Sequence, residues 1–509
     1  MQNVPIIEMD GIIYHALTIW VMQMKKLCKP TFKEKDHGQG AGIPVLKTIW
    51  DLFDLSLLFT QTGIRKHSGV PTWLLAFAYI CGLVSNASYA NQNAKFSADA
   101  PFLKQLLSGQ LISQSAFSRF LSKPFQWLQF SIGRISRLQE RTETRLTDGD
   151  IIALDDTKIE HPYGKKIPFL CWLFDSSDKR HVWCINLVST LAVLNNGLEF
   201  PMLWRFWVKK DQDNEKQTKL NLAIEMLKEL RQFNNARLWV AMDRWFLCKK
   251  FLTWLMDNNF DWVTKAKRNT VLFRKIYDPV LGKERFVKLN AKQLLQEIYP
   301  KIRVIGKKSV LSIPDIYIKV PYETLTRKGK PITRQRFLLV AAIGATYEEQ
   351  VDDKTVVLPE EEYRVATFKG TYLLLSNRAD APEEAVKAYT KRWKIEVFYR
   401  TAKQNLGLTA CYAQSEPAHF AHVELLFTAQ TLLCFATWEC NKEGVEQAPS
   451  LCEVVRYFFN AGCRIHCHNQ LIQVYFDIAT ERFARIIDKF WPKFLSLRLW
   501  NWDYYPGSA

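Results

Sequence analysis

What this chain lacks removes several classes of protein at once. No apolar run is long enough to cross a bilayer. The longest, TWLLAFAYICGLV at 72–84, falls short of the roughly 20 residues that about 30 Å of hydrocarbon demands. The apolar stretch at 11–24 has no basic residue before it and no small-residue cleavage site, so it does not read as a signal peptide. Internal repeats and low-complexity tracts are absent. The 11 cysteines are odd in number and irregularly spaced, unlike a disulfide framework. Acidic residues are in short supply: 51 Asp and Glu face 69 Lys and Arg, a formal charge of +18. That excess favours a polyanion or an anionic membrane surface as partner. At 48% hydrophobic and 24% charged, the 509 residues are neither disordered nor fibrous. The expectation is a reduced, soluble, cytoplasmic protein with no membrane partner.

Six stretches differ in character. Residues 1–42 read as an uncertain extension ending in a polar linker. Residues 43–145 carry helical periodicity. Within them Gly109 marks a turn and Ser113 a cap, and a short helix bearing Gln114, Ser115 and Arg119 follows. That unit reads either as an ordinary helical hairpin or as a helix-turn-helix. Residues 146–267 alternate between kinds of element. Strands are expected at 150–156, 181–193 and 198–208, the last two joined by the turn Asn195-Asn196-Gly197. A helix at 217–233, a strand at 236–242, a helix near 247–256 and a strand at 260–265 complete a mixed α/β layer. Residues 268–378 read as a strand-rich basic insertion. Between 262 and 310 thirteen Lys and Arg oppose three acids, more than half of the chain's excess. Such charge is either a solvated face or a phosphate-binding surface. Residues 379–410 hold a long helix, and 411–509 read as mainly helical.

Two carboxylates end buried-looking strands: Asp156, with Asp155 beside it, and Asp243. In an α/β sheet such residues project at the carboxyl edge, where ligands commonly bind, although Asp also caps helices there. On the helix after Pro382, Tyr389, Arg392, Glu396 and Lys403 fall within a wedge about 60° wide, and Arg400 lands close to it. Ile395, Phe398, Ala402 and Leu406 gather on another side and can face a core. The polar strip is about 21 Å long, several nucleotides of backbone. It reads equally as a solvated face carrying an i,i+4 Arg392–Glu396 pair.

The spacing Y-x2-R-x3-E-x6-K at Tyr389, Arg392, Glu396 and Lys403 resembles the signature of bacterial insertion-sequence transposases of the DDE type, in the fourth insertion-sequence family. ALDDT at 153–157, VAMDRWF at 240–246 and LLLSNR at 373–378 resemble that family's other blocks, in the expected order. The resemblance implies an α/β fold: a ribonuclease H-like mixed-sheet catalytic core with a β-rich insertion, flanked by N- and C-terminal helical regions. It implies Asp156, Asp243 and Glu396 as catalytic metal ligands, Asp156 being preferred to Asp155 because it directly precedes Thr157. Tyr389, Arg392 and Lys403 would grip DNA, with Arg400 beside them. The implied cofactor is a pair of Mg²⁺ ions, with Mn²⁺ as substitute. The implied partners are double-stranded DNA, as terminal inverted repeats and target, and a second copy of the chain, with the helical domain at 43–145 binding the terminal repeats and the C-terminal region making dimer contacts.

That chemistry suits these residue types. Two divalent cations about 3.5–4 Å apart stabilise both the attacking and the leaving oxygen of a phosphodiester. Carboxylate oxygens are the hard donors Mg²⁺ prefers. One departure concerns the insertion: hairpin-forming relatives use a Trp there, and no Trp occurs between Trp262 and Trp393. CRIHCH at 463–468 superficially suggests zinc but lacks a second ligand pair, so core thiols are expected. The competing functions are a non-cleaving DNA-binding derivative and a ribonuclease H-like nuclease without strand transfer.

Overall fold

The computed structural model describes residues 7–9, 12–14, 20–24, 35–175, 178–209, 218–299, 310–326, 330–346, 370–442, 450–455, 459–468, 471–477 and 502–504. Strands β1 (Ile7–Met9) and β2 (Ile12–Tyr14) pair as a hairpin, ahead of β3 (Trp20–Met24) and β4 (Lys35–Gln39). Seven helices follow: α1 (Ile43–Leu52), α2 (Leu55–Gln61), α3 (Thr72–Val84), α4 (Ala90–Asp99), α5 (Pro101–Leu106), α6 (Gln114–Leu121) and α7 (Trp127–Gln139). The helical reading of 43–145 holds at element level. Gly109 takes a positive φ of 78°, and Ser113 caps α6 by accepting from the Ala116 N–H at 3.2 Å. Edge-on and tilted contacts among Trp50, Phe59, Phe77, Trp127 and Phe130 fill the space between α1, α2, α3 and α7. A Cβ at Gly82 would clash with the buried Asn93 side-chain amide, so glycine leaves room for that amide between α3 and α4.

The core sheet uses β5 (Ile151–Glu160), β6 (Cys171–Asp175), β7 (Arg180–Val193), β8 (Glu199–Trp207), β9 (Leu238–Met242) and β10 (Phe260–Lys265), with α8 (Lys219–Arg231) and α9 (Lys249–Asp257) between the later strands. β5 pairs antiparallel with β7 on one side and parallel with β9 on the other, and β9 pairs parallel with β10. β8 and β6 share the far edge of β7. This mixed α/β sheet is the core that the sequence leads one to expect. β6 was not anticipated. Gly197, at φ 85°, closes the β7–β8 turn where the Asn-Asn-Gly triplet predicts it.

The insertion is less separable than 268–378 implies. β11 (Val271–Asp278), β12 (Lys283–Asn290), β14 (Ile316–Leu325) and β15 (Pro331–Leu339) form their own antiparallel sheet, and Asn290 caps α10 (Ala291–Ile298) by accepting from the Gln293 N–H. However, β13 (Val310–Ile313), β16 (Ala341–Thr346) and β17 (Thr371–Ser376) return to the core sheet and extend it beyond β10. α11 (Pro382–Lys391) and α12 (Trp393–Asn405) are the expected helix, interrupted at Arg392.

α13 (Glu416–Asn441) runs through the interior against α1, α3, α7 and β8. Among the described residues it alone is long and apolar enough to cross a membrane, but 89% of its apolar window is buried inside the protein. Its Glu424 carboxylate is fully buried. It accepts from Arg134 Nε at 2.8 Å and from Trp204 Nε1 at 2.7 Å, while Arg134 also donates to the Pro201 and Met202 carbonyls. Removing either partner of such a buried pair costs about 3–5 kcal/mol.

The mainly helical reading of 411–509 misses strands that the structure shows there. After α14 (Leu451–Val454) come β18 (Gly462–His468) and β19 (Leu471–Asp477), then β20 (Trp502–Tyr504). They join β3 and β4 in a sheet of order β20-β3-β19-β18-β4, so part of the 1–42 linker is a paired strand. The period-two pattern of LIQVYFD favours a strand, and pairing partners more than 400 residues away were invisible locally. Cys463 is buried; the side chains of His466, Cys467 and His468 lie outside the described residues.

Candidate active site

Parallel pairing sets the first two acids side by side. Ile151–Leu154 and Leu238–Met242 are continuous buried apolar runs, as strands covered on both faces require. Leu154 stands opposite Met242, so the next residues, Asp155 and Asp243, emerge together at the carboxyl edge of the sheet. β10 extends the row: Thr264 pairs with Met242, which sets Lys265 beside Asp243. Asp243 also opens the short 3₁₀ turn Arg244–Phe246.

The alternation of β5 then separates the two neighbouring acids. Asp155 faces α12. Its Oδ2 accepts from Arg392 Nη1 at 3.0 Å, and its carbonyl accepts from the Tyr399 hydroxyl at 2.9 Å. Arg392 Nη2 donates to Glu396 Oε1 at 2.5 Å, so one guanidinium bridges the carboxylates of Asp155 and Glu396. Asp156 faces α8 instead. Its Oδ2 accepts from Lys219 Nζ at 2.8 Å and Asn186 Nδ2 at 2.7 Å. The Lys219 ammonium sits 5.3 Å from the Trp207 ring and 5.2 Å from the Trp245 ring. The sequence reading prefers Asp156 because it directly precedes Thr157. The structure brings Asp155, not Asp156, to the face shared with Asp243 and the Glu396 pair.

Electrostatics follow from this crowding. Burial pushes the Asp155 carboxyl up to about 7; Arg392 opposes the rise, and the carboxylates of Asp156 and Asp243 add to it. Burial, joined by Arg244, drives the Lys265 ammonium down to about 8 against the pull of Asp243. Burial alone would lower the Arg392 guanidinium, but Asp155, the Tyr389 phenol and Glu396 together hold it raised.

Of the other expected DNA contacts, Tyr389 is buried, under Arg392 (5.5 Å from its ring) and beside Tyr372. It supports the guanidinium rather than presenting a free ring. Lys403 is half-buried further along α12, within electrostatic reach of Glu160 and Asp175, and burial lowers its ammonium. Arg400 is exposed. The apolar set Ile395, Phe398, Ala402 and Leu406 is buried as its spacing indicates. In the LLLSNR block, Asn377 and Arg378 hold the buried Asp261 at 3.0 and 2.9 Å, tying β17 to the start of β10. Sequence reasoning missed Lys265 and Lys219. For Lys265 the signal was available, a polar residue ending an apolar strand as Asp243 does. For Lys219 there was none.

Among the described residues no three His, Cys, Asp or Glu side chains are grouped to hold a metal ion. Here the arginine supplies the positive charge between Asp155 and Glu396. A carboxylate-only donor set already bridged by a cation fits a hard divalent ion. No borderline-soft nitrogen or sulfur donor competes among these acids.

Comparison with known proteins adds an independent line. No curated protein matches the chain in sequence. One similar solved structure is the cryo-EM structure of a piggyBac transposase synaptic complex with hairpin DNA. It is 10% identical, with a TM-score of 0.40, covering 86% of this chain and 81% of that one. The transposase DDE domain family matches residues 147–432, more than half of the chain and the whole span from β5 to the middle of α13. By that match, the chain belongs to the transposase DDE domain family.

Proposed function

We propose that this transposase is an insertion-sequence enzyme of the fourth family, which binds the terminal inverted repeats of its element, cleaves DNA there and joins the freed 3′-OH to target DNA. It acts as a homodimer on DNA in the bacterial cytoplasm. The observations supporting this reading are the strand register that sets Asp155 beside Asp243 and the Arg392 guanidinium that bridges Asp155 and Glu396.

Asp155, Asp243 and Glu396 would hold two Mg²⁺ ions, or Mn²⁺ in their place. When bound, these supply Lewis-acid stabilisation to the attacking and leaving oxygens of the phosphodiester. The chain's own residues do the rest. Asp155 gives up its proton near neutral pH as positive charge arrives, because its raised pKa reflects burial beside other acids. Arg392, released from the two carboxylates, offers its planar fork to a phosphate. Lys265, beside Asp243, neutralises backbone charge as a point cation. Water displaces the 3′ oxygen at the element end, and the resulting 3′-OH then displaces a 3′ oxygen of the target strand.

A plasmid carrying the inverted repeats that flank the reading frame, incubated with protein and Mg²⁺, tests this. Nicked and then joined products are expected, and all disappear with chelator. A mobility shift without any product would reduce the protein to a non-cleaving binder, and cleavage without joining would reduce it to a nuclease. Denaturing gels of the cleaved ends show whether a hairpin forms.

A further inference from the structure

Two side chains of α12 reach Asp155, at different ends of that residue. Arg392 holds its carboxylate, and the Tyr399 hydroxyl lies 2.9 Å from its main-chain carbonyl. A second contact leads on from the hydroxyl, to Ser189 Oγ at 2.8 Å. Ser189 sits on β7, directly opposite Asp155. A carbonyl cannot donate, so the single phenol hydrogen goes to Asp155 and the serine hydrogen goes to the phenol oxygen. The order from Ser189 through Tyr399 to Asp155 is thereby fixed.

This relay is enclosed. Ser189 is fully buried and Tyr399 is 6% exposed. The Tyr399 ring lies 5.4 Å from that of Phe398, which in turn meets Phe427 of α13 edge-on at 5.2 Å. With the ring held in place, its hydroxyl sets how closely α12 approaches β5. Tyr399 follows Glu396 by three residues, on a neighbouring part of the helix surface and about 4.5 Å along the axis. Fixing the tyrosine therefore fixes the height of the acid. The gap kept between Asp155 and Glu396 is the one that the Arg392 guanidinium spans, with bonds of 3.0 and 2.5 Å.

The two links respond differently to charge. Arg392 bonds carboxylate oxygens, for which a divalent cation competes. The phenol is neutral and bonds a main-chain oxygen, so its partner stays available when cations arrive. Once the guanidinium lets go, Tyr399 still ties helix to strand. That matters because Mg²⁺ accepts little departure from octahedral geometry at about 2.0–2.1 Å.

We propose that Tyr399 is a positioning residue for the acids: its hydroxyl, braced by Ser189, holds α12 at the depth that lets Asp155 and Glu396 share divalent cations. The proposal rests on the metal-dependent transposase reading and deepens it by naming what keeps the third acid in place.

The test is the Mn²⁺ affinity of the full-length protein without DNA, read from the electron paramagnetic resonance signal of the unbound ion. Tyr399→Phe keeps the ring and removes the hydroxyl. It should weaken Mn²⁺ binding by about tenfold or more, the loss usual when a partner behind a metal ligand is removed. Nicking should need about tenfold more Mn²⁺ for half-maximal rate, while the maximal rate stays within about threefold of wild type. Tyr79→Phe is the control, because it removes another buried phenol contact, the 2.9 Å bond with His422 Nδ1, from α3. It should lower the melting temperature by a similar amount and leave Mn²⁺ affinity unchanged. Equal loss of affinity in both variants would make the effect a consequence of stability and overturn the positioning role. Wild-type affinity in Tyr399→Phe would overturn it as well. Should that variant not fold, Tyr399→Phe combined with Ser189→Ala, which strands no serine hydroxyl, takes its place. If the wild type itself binds no Mn²⁺, the metal-dependent reading falls; if it binds and the tyrosine variant binds equally well, only the role of Tyr399 does.

Discussion

Asp155 and Asp156 are adjacent in sequence, and each side chain is 17% exposed, yet the two faces of β5 give them opposite circumstances. On the α8 face one ammonium serves one carboxylate, with an asparagine completing the shell and two tryptophans flanking the lysine. On the α12 face a single guanidinium serves two carboxylates, and a third acid lies in the next strand. The first arrangement is closed and contributes to the fold. The second divides one cation between two carboxylates, with Lys265 set beside the third acid, so its acids are only partly compensated. Exposure does not distinguish the two acids; the sharing of their cations does, since Lys219 pairs with Asp156 whereas Arg392 is divided between Asp155 and Glu396.

The largest expected effect separates the faces through activity. Asp155→Asn should lower metal-dependent nicking by about a thousandfold, equivalent to roughly 4 kcal/mol of lost transition-state stabilisation. Asp156→Asn should remain within about tenfold of wild type, since its partners lie on the opposite face. Plasmid nicking rates measure both, and the reverse ranking would break the comparison.

The next effect is on stability. Arg392→Gln leaves Asp155 and Glu396 without their shared cation and should cost the metal-free protein about 3 kcal/mol in urea denaturation. Saturating Mg²⁺ should restore much of that loss, because an ion that binds only the folded state stabilises it. A variant that Mg²⁺ fails to rescue would count against the α12 face as the cation site.

A smaller effect depends on pH. Folded Asp155 titrates near 7, whereas an unfolded Asp titrates near 3.9. Between these values the folded state holds the extra proton, so this residue's contribution to stability falls as pH rises from about 4 to 7. Asp155→Asn should therefore gain on the metal-free wild type as pH increases, by on the order of 2 kcal/mol above neutrality. Thermal melts across that range read the gap, and a gap widening toward acid would contradict the assignment. The smallest effect belongs to the closed face. Lys219→Ala should destabilise the fold by roughly 1–2 kcal/mol and change nicking little, as seen by denaturation alongside plasmid assay.

Much of the core was legible because its signals are local. The apolar runs ending at Leu154 and Met242, the Asn-Asn-Gly turn, the Ser113 cap and the buried stripe Ile395–Phe398–Ala402 each report on a few consecutive residues. The return of β13 and β16 to the core sheet and the sheet shared by both ends of the chain depend on long-range pairing that no short window contains. The Arg134–Glu424 pair was hidden for the same reason, since its partners lie 290 residues apart.

For the active site, sequence alone determined that acids follow two buried apolar runs, although β5 continues past them to Glu160, and that Arg392 and Glu396 lie one helical turn apart, because residue spacing sets both. Only the tertiary structure decided which of two neighbouring aspartates joins them. A strand sends successive side chains to opposite faces, and which face receives α12 is fixed by packing between elements more than 200 residues apart.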